Sequence, residues 1–294
     1  MIEVPEGRGP RLGKRLVPYV LSLPSWAWLA LFFIVPLGAI LSLSLQTGNP
    51  IEGFRFNWNV STYWDAIRTY DVQFVRSFLY GGSSTALALV AMYPVAYWIA
   101  FRGGSHKSTF LFIVLLPFFV SFIIRILTWQ FILADEGIVL GSLKDIGLLP
   151  ESLHVLSTSY AVIAGLTYDA LPFMVLPIFV ALERIDRDVI EAAADLYANA
   201  RERFRRVILP LSAPGVYAGV LLVFVTNVGD YLAAEILGGP GTTMIGNIIQ
   251  TQYLQNQNYP MASALSTLLM VGMLVVMYLY ARAFGARSVE EYVG

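Results

Sequence analysis

The densest group of ionisable side chains lies between Glu183 and Pro210. This stretch, ERIDRDVIEAAADLYANARERFRRVILP, holds six of the nineteen basic residues and six of the twenty acidic ones. Apolar residues recur in it at helical spacing, which predicts a short amphipathic helix; they are Ile185, Val189, Ala192, Ala193 and Leu196. Because its apolar stripe is narrow and mostly alanine, such a helix could approach the surface of a partner protein closely.

Four further ionisable residues fall inside apolar segments: Arg125, Asp169, Asp230 and Glu235. A charge inside a bilayer is costly, so each of them needs a partner or a role. In one interpretation Asp169, Asp230 and Glu235 line a path that attracts a cationic solute. In the other, Arg125 pairs with Asp169 and only fixes helix packing, and for these two residues the pairing is favoured.

Aromatic residues lie beside these charges. Trp129, Tyr168 and Tyr231 could form cation–π contacts with an amine, although packing is the more common role of such rings.

Several classes of chemistry are disfavoured by composition. The chain has no cysteine and only two histidines, His106 and His154, so no disulfide, thiolate or histidine metal site is predicted. No G-x-x-x-x-G-K-[ST] motif is present, so ATP binding by that loop is excluded and no cofactor is expected on this chain. An integral-membrane enzyme would need a nucleophile and a base close together, and the available acids are scattered. No nucleic-acid partner is predicted.

The elements that position these groups are predicted to be transmembrane helices. Apolar residues make up 57% of the chain and charged residues 13%, and the mean hydropathy is +0.65. These values are typical of a membrane protein. Six spans are predicted, at about 25–45, 74–101, 108–133, 158–182, 213–237 and 259–284. The first is too long for a signal peptide and is expected to stay uncleaved.

The distribution of Lys and Arg predicts the orientation. With a cytoplasmic N-terminus, fourteen of the nineteen basic residues lie on the inner side and three in outer loops. The positive-inside rule therefore predicts that both termini, and the stretch 183–210, face the cytoplasm. The predicted organisation is a cytoplasmic tail at 1–24, a six-helix transmembrane domain at 25–284 and a second tail at 285–294. We expect an all-α protein of a cell membrane.

The charged stretch resembles the EAA loop of the membrane subunits of ABC importers. The matching residues are Glu191, Ala192, Ala193, Asp195 and Leu196, followed by Ile208 and Pro210. Tyr197 stands where the family usually has glycine. The resemblance implies a type I importer permease fold and a coupling helix that docks on a cytoplasmic ATPase subunit. The expected coupling residues are Asp188, Glu191, Ala192, Ala193, Asp195, Leu196, Tyr197, Phe204 and Pro210.

A narrower resemblance is to the permeases of spermidine/putrescine importers. It rests on IRILTWQFIL, on YDALPFMVLPIFVALERID and on EILGGPGTTMIGNIIQTQYLQNQNYPMASALS. The resemblance implies polyamine transport; permeases for ferric iron, sulfate or phosphonates share the scaffold and stay open as alternatives, as does, more remotely, a secondary transporter.

The same resemblance also implies the other components of such a system. The implied partners are two ATPase subunits carrying ATP and Mg, a second permease subunit (a paralogue rather than a copy), an external solute-binding protein and membrane lipid.

Overall fold

The computed structural model describes Tyr19 and residues 22–285, and almost all of the two predicted tails lies outside these residues. Within this part the protein is helical apart from one hairpin. The helices are α1 (Ser22–Ser44), α2 (Ser61–Arg102), α3 (Lys107–Leu115), α4 (Phe122–Leu133), α5 (Leu140–Asp145), α6 (Ser159–Glu183), α7 (Arg187–Asp195), α8 (Ala200–Val228), α9 (Leu232–Leu237), α10 (Ile245–Gln250) and α11 (Tyr259–Phe284). Strands β1 (Gln46–Asn49) and β2 (Gly53–Phe56) pair antiparallel after α1.

The six predicted spans correspond to five long apolar helices and one bent pair in the described residues. The long helices are α1, α2, α6, α8 and α11. The third predicted span is not continuous, because α3 and the 3₁₀ turn after it meet α4 at an angle of 85°. Val120 and Ser121 adopt extended ψ angles at this break. Pro117 precedes it and cannot donate a helical hydrogen bond, which favours an interruption there.

The fifth span differs most from its predicted bounds. Its helix, α8, begins at Ala200 and ends at Val228, and a separate short helix, α9, follows a break at Gly229–Tyr231. Asp230 and Glu235 therefore lie beyond the span, and the prediction that placed them inside it was wrong. Hydropathy over 213–237 is continuous in sequence, so the break is set by local hydrogen bonding and packing instead.

Helices α2, α6 and α8 pack against one another and form the centre of the bundle. Buried Ile99, Met174, Ile178 and Leu182 lie in the core between them. Helix α1 packs only on one side, mainly against α11, and is exposed along most of its length. In a membrane this exposed surface faces lipid or another apolar protein surface, so its exposure is compatible with a stable fold.

The approach of α6 to α8 depends on a glycine. A Cβ atom at Gly215 would collide with the carbonyl oxygen of Pro177 and the side chain of Ala181. Since transmembrane helices associate through close packing, small residues are required where their backbones come nearest. Helix α6 itself continues through Pro172 and Pro177.

We expect Gly215→Ala to destabilise the protein by about 1–3 kcal/mol through overpacking. Gly82→Ala is the matched control, because nothing lies within 4 Å of a Cβ atom at Gly82. There the extra methyl group should be neutral or stabilise α2 by up to about 1 kcal/mol. Thermal unfolding of both variants in the same detergent checks this. Equal melting temperatures would contradict the packing argument.

Candidate coupling surface and ion-pair site

Helix α7 lies in the segment that was expected to couple to an ATPase, and its first turn is capped. The carboxylate of Asp186 accepts a hydrogen bond from the backbone N–H of Asp188 at 3.1 Å. A carboxylate at this position satisfies a free N–H group and interacts favourably with the helix dipole. Glu191 lies in the middle of α7, so Asp186 and not Glu191 caps the helix.

The other end of α7 is closed by two backbone hydrogen bonds. The N–H of Ala198 donates to the carbonyl of Ala193, and the N–H of Tyr197 donates to that of Ala194. This is the Schellman arrangement, which needs a left-handed residue after the helix. Tyr197 is that residue, with φ of 62°. The backbone bend that glycine makes in related loops is thus made here by a tyrosine. The left-handed conformation of a residue with a Cβ atom costs about 1 kcal/mol.

The two faces of α7 have different environments. Ile190 packs against the hydrophobic core and holds the helix on the bundle. Away from the core, Val189 is 47% exposed, and Leu196 and Tyr197 at the end of the helix are 81% and 97% exposed. These apolar groups are interleaved with exposed acidic ones, and together they form what we call the coupling surface: Asp188, Val189, Glu191, Ala192, Asp195, Leu196 and Tyr197. An exposed apolar patch rimmed by charge is typical of a protein interaction site.

Three of the predicted coupling residues lie elsewhere. Ala193 is half-buried on the inner side of α7. Phe204 packs edge-on against Tyr93 and Tyr97, with ring centroids 5.8 and 5.9 Å away, and therefore anchors the start of α8 to α2. Pro210 lies just after a π-helical turn at Phe204–Ile208. Because proline has no N–H group to donate, it tolerates the widened turn before it.

A basic cavity of ≈ 530 Å³ lies beside the start of α8. It is lined by Arg201, Arg205, Arg206 and Glu202. Glu202 also forms a capping box with Asn199 at the first turn of the helix. The arginines are therefore concentrated where the polar loop enters the apolar bundle.

Arg125 and Asp169 form an ion pair within the bundle. Their Nη2 and Oδ1 atoms are 3.4 Å apart, and both side chains are 12% exposed. Arg125 follows the break in the third span, and Asp169 lies in the middle of α6. Tyr168 and Trp129 lie beside the pair with their rings 5.4 Å apart. The structure therefore brings these four predicted site residues together.

The other three candidates lie around the break after α8. Asp230 is half-buried, and its Oδ1 atom accepts a hydrogen bond from the N–H of Ala233 at 2.8 Å. Asn247 donates to the carbonyl of Tyr231 and to Oε2 of Glu235, both at 2.9 Å. Glu235 is otherwise exposed. These bonds join α9 to the start of α10, so Tyr231 and Glu235 help to hold a loop together.

Sequence reasoning missed several residues of these sites. Asn247 is uncharged and was not predicted as a site residue. The loop 238–258 that contains it has no charged residue, and this absence could have indicated that the polar groups of the loop bond within the protein. Asn227 donates to the hydroxyl oxygen of Ser84 at 2.8 Å and joins α8 to α2. Phe118 lies under the guanidinium of Arg125 at 4.5 Å. Nothing in the sequence distinguishes this phenylalanine from seventeen others.

An ion-pair network closes the loop between α4 and α6. Asp135 accepts from Nζ of Lys144 at 2.8 Å and contacts Nδ1 of His154 at 2.7 Å. The hydrogen bond from Lys144, and then that from His154, hold the pKa of the Asp135 carboxyl below its ordinary value. Glu136 and Glu151 line a cavity of ≈ 620 Å³ beside it. The network connects the start, middle and end of this loop.

We expect Tyr197→Gly to slow amide exchange in α7 relative to Tyr197→Ala. Both variants remove the ring, but only glycine adopts a positive φ without the steric cost of a Cβ atom. The expected difference is about 1 kcal/mol in the opening free energy of the helix end, measured by hydrogen exchange. Faster exchange in the glycine variant than in the alanine variant would contradict the assignment of a strained helix end.

We expect the loop between α4 and α6 to loosen in acid. Because the pKa of Asp135 is lower in the folded loop than its unfolded value of about 3.9, the stabilisation that depends on the ionised Asp135 carboxylate is fully present above that pH. This stabilisation is lost as the pH falls through the folded pKa. Hydrogen exchange at residues 136–156, corrected for intrinsic rates, should therefore lose protection below about pH 4.

Asp135→Asn distinguishes protonation of Asp135 from unfolding caused by acid elsewhere in the protein. The variant should be less protected than the wild type at pH 6 and should change little on acidification. Glu151→Gln removes a carboxylate that lines the neighbouring cavity and should behave as the wild type does. Equal protection of the wild type and Asp135→Asn at pH 6 would contradict the prediction.

Comparison with known proteins shows the family of this chain. Residues 92–288 match the family described as "Binding-protein-dependent transport system inner membrane component". The chain is 36% identical over 259 residues to the spermidine/putrescine transport system permease protein PotB of Haemophilus influenzae, covering 88% of this chain and 91% of that protein. It is 31% identical over 260 residues to PotB of Escherichia coli, covering 87% and 94%.

A solved structure has the same fold. It is that of a bacterial ABC transporter involved in the import of the acidic polysaccharide alginate, and it matches with a TM-score of 0.69. The match covers 95% of this chain and 99% of that one at 20% identity. Both the expected permease fold and the multi-pass membrane location are thereby confirmed. The chain belongs to the family of inner membrane components of binding-protein-dependent transport systems, the permease subunits of ABC importers.

Proposed function

We propose that this chain is one translocation subunit of an ATP-driven importer of polyamines such as spermidine and putrescine. The observation that carries the proposal is the coupling surface on α7, an exposed amphipathic surface on a helix whose two ends are both closed. The relatives named for spermidine and putrescine transport support the substrate class, since they match over most of both chains. ATP hydrolysis is assigned to separate subunits, which would carry ATP and Mg.

The orientation follows from the basic residues. Arg201, Arg205 and Arg206 lie at the α7 end of the bundle and favour the cytoplasmic side, where they also contact anionic lipid headgroups. The α7 end would then face the ATPase subunits, and both chain termini would lie in the cytoplasm. The opposite end, with the hairpin and the loop between α4 and α6, would face an external solute-binding protein.

The complex would contain two ATPase subunits and a second permease, a paralogue rather than a copy. A single bundle of this kind encloses only part of a pathway, and α1 and much of α8 expose apolar surface that another subunit or lipid would cover. Closure of the ATPase subunits would push on the coupling surface. Since α7 is joined to α6 by three residues and is held on the core by Ile190, it would transmit that motion to the bundle.

The translocation path would pass the ion-pair site. Asp169 would line it together with Arg125, Trp129 and Tyr168, and Asp230 would lie at the break after α8. Carboxylates and aromatic rings are the groups that bind organic ammonium ions. Tyr231 and Glu235 would lie nearer the external entrance.

The function is tested by the ATPase activity of the reconstituted complex. A receptor loaded with spermidine should stimulate it. In Glu191→Lys the stimulation should fall about tenfold or more, because reversing a charge within an interface costs upward of about 1.4 kcal/mol. Co-purification of the ATPase subunits should weaken in parallel.

The matched control is Glu52→Lys. Glu52 is an exposed carboxylate in the hairpin turn, at the end of the bundle away from α7, so its reversal should leave ATPase co-purification unchanged. Stimulation only by a receptor carrying another solute would keep the importer and refute the polyamine assignment. Normal coupling in Glu191→Lys would refute the role of the coupling surface.

A further inference from the structure

The guanidinium of Arg125 lies in a cage of aromatic rings. Its Cζ atom is 4.5 Å from the centroid of Phe118, 5.8 Å from that of Phe122 and 6.0 Å from that of Tyr168. The carboxylate of Asp169 lies beside the same group at 3.4 Å. Rings around a cation with a carboxylate at one side form the arrangement by which proteins bind organic ammonium ligands. Here a side chain of the protein itself occupies it.

The ion pair is poorly hydrogen-bonded for a purely structural contact. Nε and Nη1 of Arg125 and both carboxylate oxygens of Asp169 are buried and have no hydrogen-bond partner among the described residues. An arginine that is fixed in place for packing usually bonds a carboxylate through two parallel N–H groups. Buried polar atoms without partners are costly, and each requires an explanation. The contact is therefore electrostatic, and its partners remain available to other groups.

The walls of the cage come from three separate segments. Phe118 lies before the break in the third span, Arg125 and Phe122 lie on α4 after it, and Tyr168 and Asp169 lie on α6. The two parts of the broken span meet at 85°. A rotation of α4 at this break would withdraw the guanidinium from Asp169. The ring of Tyr168 stacks on Phe118 at 5.5 Å, so these two walls support each other without the arginine.

We propose that Arg125 is an internal plug of a cation site formed by Asp169, Phe118, Phe122 and Tyr168. The guanidinium occupies this site when no substrate is present, and an ammonium group of the transported amine takes its place during translocation. The inference rests on the proposed polyamine function and names the residue that keeps the site closed to cations before the receptor delivers its load. With Arg125 in place, small cations are excluded from the site, and the carboxylate of Asp169 keeps a counter-ion within the membrane.

The test is equilibrium binding of radiolabelled spermidine to the purified permease–ATPase complex in nanodiscs, with no receptor present. The wild type should bind little. Arg125→Gln should bind at least about tenfold more tightly because the competing cation is gone. Arg125→Lys keeps the competing charge and should resemble the wild type, while Arg125→Gln combined with Asp169→Asn should lose the gained binding.

The rings give an independent measurement. In the Arg125→Gln background, Phe118→Leu should weaken spermidine binding by roughly three- to thirtyfold, the range of a partly desolvated cation–π contact. Arg125→Met keeps the length of the side chain without its charge and replaces the glutamine variant if that variant does not assemble. Absence of gained binding in an assembled, uncharged variant would overturn the plug.

Stimulation of the wild-type ATPase by spermidine-loaded receptor is measured in the same preparation. If stimulation is present and Arg125→Gln binds no spermidine, the plug is refuted and the polyamine function stands. If the wild type is not stimulated by polyamine, the proposed function is refuted, and the inference that depends on it is refuted with it.

Discussion

Hydrocarbon offers no hydrogen-bond partners, so every backbone N–H and C=O group inside the membrane must be satisfied by the protein itself. This constraint accounts for the continuous helix through the apolar part of α2, beyond the kink at Tyr70, and for α6, which continues past two prolines. It also accounts for what is found where helices stop. At the break after α8 the carboxylate of Asp230 accepts from a backbone N–H group, and Asn247 bonds the carbonyl of Tyr231.

Because apolar side chains gain nothing by leaving lipid, the bundle is held by close packing and a few polar contacts. Gly215 allows α8 to approach α6, and Asn227 bonds α8 to Ser84 on α2. The central three helices form a compact frame around which the other elements are arranged. On this frame the broken third span and the short helices α9 and α10 can take irregular paths, since their free polar groups meet protein atoms.

The two candidate sites use this frame in opposite ways. Helix α7 projects from it, closed at one end by Asp186 and at the other by a left-handed Tyr197, so a partner meets a helix of defined length. The ion-pair site lies between α4 and the α6 helix of this frame, where Arg125 and Asp169 are buried with polar atoms that have no hydrogen-bond partner in the described residues. The same frame therefore holds an exposed helix whose ends are both closed and a buried ion pair whose polar atoms are mostly unbonded.

Local patterns in the sequence determined much of this protein. Hydropathy runs predicted the six spans, since each depends on about twenty neighbouring residues. The spacing of apolar residues from Ile185 to Leu196 predicted an amphipathic helix, and the structure contains one at Arg187–Asp195. The pairing of Arg125 with Asp169 followed from the cost of isolated charges in lipid, because few partners were possible.

Contacts between distant residues decided the rest. Neighbours from other helices determine where α8 begins and ends, and they turn Phe204 inward. They also set the break that places Asp230 and Glu235 beyond the span. A short stretch of sequence does not contain these neighbours. The cage around Arg125 is the clearest case, because Phe118 and Tyr168 are fifty residues apart in the chain and meet only after the third span bends against α6. Composition determines that a chain crosses the membrane, but only tertiary packing determines which side chains share a site within it.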